Sequence, residues 1–271
     1  EGFRIEARVG QGYRFLGGPG GDCVEELPLV LGTRDLGKKG LVYRGSTDST
    51  QNLARQAAQQ GALHGTLVLA GEQTAGKGRQ GAVWTAPSGS LAVSLILRPD
   101  WPVLEAPRLP VLLSLALHRA LEILAPGETR IQWPCDLWGR LGKLGGILVE
   151  VHARSLDRLD CLIAGVGFRL QELKVSMSSD DGLDALNVLR RFLEELERCL
   201  DMEAMGGYPS LLEDWIHRLN LVGTEQRVRL CDGGILEGLV LEVDGWGRLG
   251  LRVSGKDQGP VWLTGGELLD R

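Results

Sequence analysis

The chain has 271 residues, 43% of them hydrophobic, and a net charge of −5 at neutral pH; this is apolar content enough for a large core, and no global basic field favours nucleic acid. Its five cysteines, Cys23, Cys135, Cys161, Cys199 and Cys231, are scattered with no C-x-x-C pair, which argues for reduced thiols in cytoplasm and against a zinc cluster or a disulfide framework. The longest apolar run, residues 111–117, is too short to span a bilayer and no signal-peptide pattern opens the chain, so no membrane partner is expected.

Residues 3–9 and 13–16, separated by Gly10-Gln11-Gly12, read as two short strands of a hairpin. A lone hairpin is marginal in water, and the chain opens inside this one at Glu1 without methionine, as expected of a piece of a longer product. Gly17-Gly18-Pro19-Gly20-Gly21 follows as a linker. Asp48-Ser49-Thr50 then caps a helix over residues 51–60, with Leu53, Ala54, Ala57 and Ala58 on one face and Gly61 as its stop.

Residues 66–70 and 91–97 read as strands, and the loop between them holds Gly76, Gly78 and Gly81 with the cations Lys77 and Arg79. Glycine lets backbone N–H groups approach an anion closely, and the cations add charge at the same place, so the loop suits phosphate or carboxylate. The three glycines also satisfy G-x-G-x-x-G, but a dinucleotide fold needs a helix to open at the last of them. Pro87 and Gly89 forbid a long helix there, and the Rossmann reading is rejected. The plain alternative is a solvated glycine loop with two unrelated cations.

Leu113, Leu117, Ala120, Leu121 and Leu124 have helical spacing and predict a core helix over residues 107–124, on which His118 is structural. Residues 142–151 are expected as a strand paired with residues 159–166. Lys143 stands at the start of that strand, where an ammonium can meet a ligand oxygen; the ordinary reading of a lysine beside glycines is solvated surface. Amphipathic helices are expected over residues 183–200 and 211–219. From Val222 onward, short strands at residues 227–230, 236–242, 249–253 and 260–263 suggest a separate small β-barrel.

Six motifs occur in order: Asp48-Ser49-Thr50-Gln51, Gly76-Lys77-Gly78-Arg79-Gln80-Gly81-Ala82-Val83-Trp84, Gln132-Trp133-Pro134-Cys135-Asp136, residues 143–150, Gly165-Val166-Gly167-Phe168-Arg169 and Gly265-Gly266-Glu267. Together they resemble the D-S-T-N, G-R-G-R-x-G-x-x-W, K-W-P-N-D, K-L-G/A-G-I-L-V-E, G-x-G-x-N and G-G-E motifs of biotin protein ligases of the bacterial bifunctional type. The resemblance covers nearly the whole chain. It implies an α+β catalytic fold over residues 21–221, a central mixed β-sheet with helices packed on it as in class II aminoacyl-tRNA synthetases. A C-terminal SH3-like β-barrel would occupy residues 222–271. Residues 1–20 would be the remnant wing and linker of a winged helix-turn-helix, which should not read DNA without its recognition helix.

The implied reaction is attack of the biotin carboxylate on the α-phosphate of ATP, giving biotinyl-5′-AMP, then transfer of biotin to a lysine of a biotin carboxyl carrier protein. By the same resemblance Ser49, Thr50, Gln51, Gln73, Gly76, Lys77, Gly78, Trp84, Gly145 and Gly146 would contact biotin. Lys77, Arg79, Gln132, Trp133, Asp136 and Arg169 would face the nucleotide, and Lys143 and Arg79 would hold the reacting oxygens. Mg²⁺ would arrive with ATP, near Asp136, without a dedicated protein site. Whether two copies form a homodimer through the sheet stays open.

Several positions depart from the family pattern. Lys77 and Ala82 stand for arginines, Gln132 for a lysine, and Gln51, Cys135 and Arg169 for asparagines. A unit-charge contact at about 4 Å is worth up to roughly 4 kcal/mol at an effective dielectric near 20, so lost cations bear on ATP binding. This sustains a second reading, a ligase-fold biotin-binding sensor or interaction protein. A third is a lipoate or octanoyl transferase of the related fold, which Trp133-Pro134 and the C-terminal strands disfavour.

Overall fold

The structure, a computed structural model, describes residues 4–8, 12–17, 27–85, 90–170, 173, 185–255 and 259–269. The linker after Gly17 and Cys23 lie outside the described residues. β1 (Arg4–Arg8) and β2 (Gly12–Gly17) pair as the expected antiparallel hairpin.

A seven-stranded sheet organises the chain. It is built from β3 (Leu41–Thr47), β4 (Thr66–Gln73), β5 (Leu91–Leu97), β6 (Arg130–Gln132), β7 (Asp136–Gly139), β8 (Gly142–Ala153) and β9 (Leu159–Phe168), in the order β3-β4-β5-β9-β8-β7-β6. β3 and β4 run parallel and the other neighbours antiparallel, so the sheet is mixed. Among the described residues five α-helices accompany it: α1 (Leu27–Val30), α2 (Thr50–Gln59), α3 (Arg108–Leu124), α4 (Ala185–Ala204) and α5 (Tyr208–Leu219).

Alternation along the central strands covers both sheet faces. Val68, Ile96, Cys161 and Ile163 pack with Ala54 and Ala58 of α2. Leu67, Leu95 and Leu162 turn the other way, into the core shared with α3, α4 and α5. Burial on two sides explains why β5 reads as an almost unbroken apolar run, Leu-Ala-Val-Ser-Leu-Ile-Leu, with every position buried. His118 of α3 is buried with Nδ1 3.0 Å from Thr129 Oγ1, in the structural role read for it.

The C-terminal strands β10 (Glu225–Arg229), β11 (Ile235–Val243), β12 (Leu249–Val253), β13 (Val261–Leu263) and β14 (Glu267–Leu269) form an antiparallel sheet in the order β13-β12-β11-β10-β14. No ladder joins β13 to β14 among the described residues, so the pairing there is that of a five-stranded antiparallel sheet. Val228, Val240, Leu249 and Leu268 belong to the same core as α3. Trp133 anchors the contact: its buried indole Nε1 donates to Gly247 O at 2.9 Å. Among the described residues no helix is long and apolar enough to cross a membrane.

β3 and β14 were not expected from the sequence. β3 is an edge strand whose Tyr43, Arg44, Gly45 and Ser46 are exposed, so it carries little of the apolar alternation by which strands are read. β14 follows Gly265-Gly266 so closely that turn signals mask it.

Candidate functional site

The glycine loop folds back on itself. Gly78 N donates to Ala82 O at 2.7 Å and Trp84 N to Gly76 O at 2.9 Å, with a 3₁₀ turn at Arg79–Gly81 as its tip. Gly76 has to be glycine, since a Cβ there would lie 2.4 Å from Trp84 O. No helix opens at Gly81, in keeping with rejection of the dinucleotide fold.

This loop covers a small cleft whose other walls are the N-terminus of α2, the middle of β5 and parts of β8 and β9. The far end of the cleft is polar and buried. Ser49 caps α2, accepting from Gln51 N at 3.2 Å. Gln73 Oε1, at the end of β4, accepts from Thr50 N at 2.8 Å and from Thr50 Oγ1 at 3.0 Å. Trp84 closes the side: its indole lies on the backbone of Gly167, where a Cβ would come within 2.4 Å of the ring. Arg169 stacks on the indole with its guanidinium carbon 4.9 Å from the ring centroid.

At the near end two cations meet one carboxylate. Arg79 Nη2, from the loop, lies 2.8 Å from Asp136 Oδ2, and Lys143 Nζ, from β8, lies 2.7 Å from the same oxygen. Asp136 Oδ1 is buried with no hydrogen-bond partner among the described residues. Arg79 Nη1 also reaches Cys135 Sγ at 3.2 Å. Burial pushes the Cys135 thiol up to about 11, so it stays neutral and the arginine's charge goes to Asp136.

A second, larger cavity adjoins the first through shared walls of Arg79, Trp84, Asp136 and Lys143. It opens between the two sheets and adds Gln132, Trp138, Arg169 and, from the C-terminal sheet, Arg229 and Glu267. Two cavities of different size and polarity therefore meet at one cationic point, the geometry required when a carboxylate is joined to a phosphate.

Comparison with known proteins decides the family. Residues 43–168 match the model of the biotin/lipoate A/B protein ligase family. The chain is 32% identical over 268 residues to the bifunctional ligase/repressor BirA of Bacillus subtilis, covering 94% of this chain and 82% of that protein. The chain belongs to the biotin protein ligase family. It is also 30% identical over 226 residues to the biotin–[acetyl-CoA-carboxylase] ligase of Mycobacterium tuberculosis, covering 78% of this chain and 82% of that protein. Among solved structures, the biotin protein ligase of Aquifex aeolicus in complex with biotin and ATP shares the fold, with a TM-score of 0.65 at 23% identity, covering 85% of this chain and 98% of that one.

Of the residues expected to meet biotin in a biotin ligase, Ser49, Thr50, Gln51, Gln73, Lys77, Gly78, Trp84 and Gly146 line the smaller cleft. Gly76 and Gly145 do not line it. Gly145 is a close-packing position, where a Cβ would come 2.9 Å from Gly167 O and from Phe168 Cδ2. Gln132, Trp133, Asp136 and Arg169 line the larger cavity with Arg79, Trp133 presenting only the rim of a buried side chain. Lys77 Nζ lies 2.8 Å from Asn52 Oδ1, so an asparagine one residue beyond Gln51 steadies the loop.

Sequence reasoning missed Ser94, Asn52, Trp138 and Arg229. The signal for Ser94 was available, as the only polar residue in β5. Arg229 gave none, because nothing local says that the C-terminal sheet faces the larger cavity.

Proposed function

We propose that the chain is an ATP-dependent biotin protein ligase, which joins biotin to AMP and then passes it to a lysine of a biotin carboxyl carrier protein. The observation that carries this reading is the convergence of Arg79 and Lys143 on one oxygen, 2.8 and 2.7 Å away, where the smaller cleft meets the larger cavity. Biotin would lie in the smaller cleft with its carboxylate at this point. ATP would lie in the larger cavity, where Arg169 adds charge and Arg229 stands paired with Glu267 at 2.6 Å.

Attack of the carboxylate oxygen on the α-phosphorus forms the acyl–phosphate bond and breaks the bond to pyrophosphate. Both reactants are anions, so the chemistry needs their repulsion offset and their atoms held in line. Arg79 and Lys143 meet that need by exchanging Asp136 for the reacting oxygens. In the second step the carrier amine attacks the acyl carbon, AMP leaves, and the same cations hold the departing phosphate.

Mg²⁺ would ride on the triphosphate. Among the described residues no group of three His, Cys, Asp or Glu could hold a metal, and the free Asp136 Oδ1 fits the single carboxylate that a phosphate-borne Mg²⁺ needs. Residues 21–221 would form the catalytic unit, and the C-terminal sheet an SH3-like barrel in outline.

The test is biotin-dependent exchange of labelled pyrophosphate into ATP, followed by labelling of a carrier domain. Exchange and labelling together support the ligase. Biotin binding by calorimetry without either would replace it with the sensor reading, and the departures at Gln132 and Ala82 would then account for the loss.

A further inference from the structure

Ser94 is fully buried in β5 and lies on the α2 side of the sheet, in step with Ile96. Its Oγ is 2.9 Å from Thr50 Oγ1 and 3.1 Å from Gln51 Oε1. Two backbone groups decide where every proton in this cluster goes. The carbonyl of Ile163 can only accept, so the Gln51 amide presents Nε2 to it at 3.0 Å and turns Oε1 to Ser94. The Thr50 N–H can only donate, so the Gln73 amide presents Oε1 to it at 2.8 Å, and the Thr50 hydroxyl donates to that same oxygen at 3.0 Å. Both neighbours of Ser94 are therefore acceptors toward it, and its hydroxyl donates a single proton that they share, with Thr50 Oγ1 the nearer at 2.9 Å.

The chain of bonds runs one way, from Ser94 through Thr50 to Gln73. It leaves the Gln73 Nε2 hydrogens as donors beside Gly76, and the Ser49 hydroxyl, whose oxygen already accepts from Gln51 N, as another. Ser49, Gln73 and Ser94 all line the smaller cleft. The closed end thus offers donors at fixed positions together with the remaining hydroxyl lone pairs as acceptors.

We infer that Ser94 is a positioning residue that sets substrate specificity: it locks the hydrogen-bond polarity of the cleft end so that a cyclic urea head group is accepted and an acyl acid with an apolar or dithiolane head is refused. A cyclic urea brings a carbonyl for the donors and N–H groups for the acceptors. An alkyl or dithiolane head brings neither and would leave those buried groups unpaired, the situation that gives large discrimination. Without the Ser94 hydroxyl, Thr50 Oγ1 and Gln51 Oε1 lose the one donor they share and compete for the N–H groups of the ligand. The inference rests on the ligase reading of the cleft.

Calorimetric titration of biotin, desthiobiotin, lipoate and octanoate into the wild type, Ser94→Ala and Ser94→Thr tests it, with pyrophosphate-exchange kinetics on each. The wild type should bind both ureas and bind lipoate and octanoate at least about 1,000-fold more weakly. Ser94→Ala should weaken biotin and desthiobiotin alike by about 10- to 100-fold, with KM for ATP and kcat at saturating biotin unchanged. Ser94→Thr, which keeps the hydroxyl, should bind biotin as the wild type does; should its extra methyl prevent folding, the split between the two KM values in Ser94→Ala still decides. Unchanged biotin affinity in Ser94→Ala, or equal losses in the biotin and ATP parameters, overturns the assignment. A wild type that binds no biotin overturns the ligase reading itself, and is thereby told apart from a failure of the Ser94 role alone.

Discussion

Arg79 and Lys143 donate to the same oxygen, Oδ2 of Asp136, although one stands at the tip of a glycine loop and the other on β8, 64 positions along the numbering. A single acceptor oxygen holding two cations is an anion site already in working geometry, with the carboxylate in the place of the ligand. The loop is drawn toward the strand by the same contact, which prepares the cleft before substrate arrives.

Removing either cation should therefore act on the chemical step. Lys143→Ala should reduce pyrophosphate exchange by about 100- to 1,000-fold, the usual cost of one donor to developing charge, with calorimetric biotin affinity changed far less. Arg79→Ala should behave similarly, and Arg79→Lys should recover only part, because it lacks the planar fork. Exchange at the wild-type rate in Lys143→Ala would remove the lysine from the mechanism.

Asp136→Asn takes away the shared counter-charge and leaves two cations facing each other. Partial exposure screens them, so the expected loss is about 1 kcal/mol, or roughly 2–4 °C in Tm. Millimolar pyrophosphate should restore more stability to this variant than to the wild type, since an added anion takes over the role of the carboxylate. Equal stabilisation of both proteins in a thermal-shift series would count against that role.

Gly167 and Trp84 make a third test. A Cβ on Gly167 would lie 2.4 to 2.6 Å from atoms of the Trp84 indole, far inside contact distance, and Arg169 stacks on the same ring. Gly167→Ala should displace the indole and raise KM for biotin by about tenfold, roughly 1.4 kcal/mol. Gly233→Ala, in the turn before β11 and outside both cavities, should leave that KM alone. A normal biotin KM in Gly167→Ala would show that Trp84 does not shape the cleft.

The buried thiols predict a pH dependence. Burial raises both Cys135 and Cys199 from an ordinary 9.0 to about 11. Between those values the unfolded chain releases protons that the folded chain keeps, so stability is full below pH 9 and falls as pH rises toward 11. Thermal midpoints measured from pH 7 to 10.5 should decline at the alkaline end, and less steeply in a Cys135→Ser, Cys199→Ser double variant. Identical slopes in the two proteins would refute the assignment.

The sequence by itself settled what local pattern can settle. The apolar character and short length of residues 91–97 and 159–166 specify buried strands, the cap at Ser49 and the apolar spacing of residues 107–124 specify helices, and Pro87 and Gly89 rule out a dinucleotide helix, because each is a contest between near neighbours in the chain. Only the tertiary structure decided that Arg79, Asp136 and Lys143 meet at one oxygen, that Ser94 turns toward Thr50, and that Arg229 faces the same cavity as Gln132. Those relationships depend on strand order and on which side of a pleat each residue takes, and strand order follows from how the whole core packs, information that no window of neighbouring residues carries.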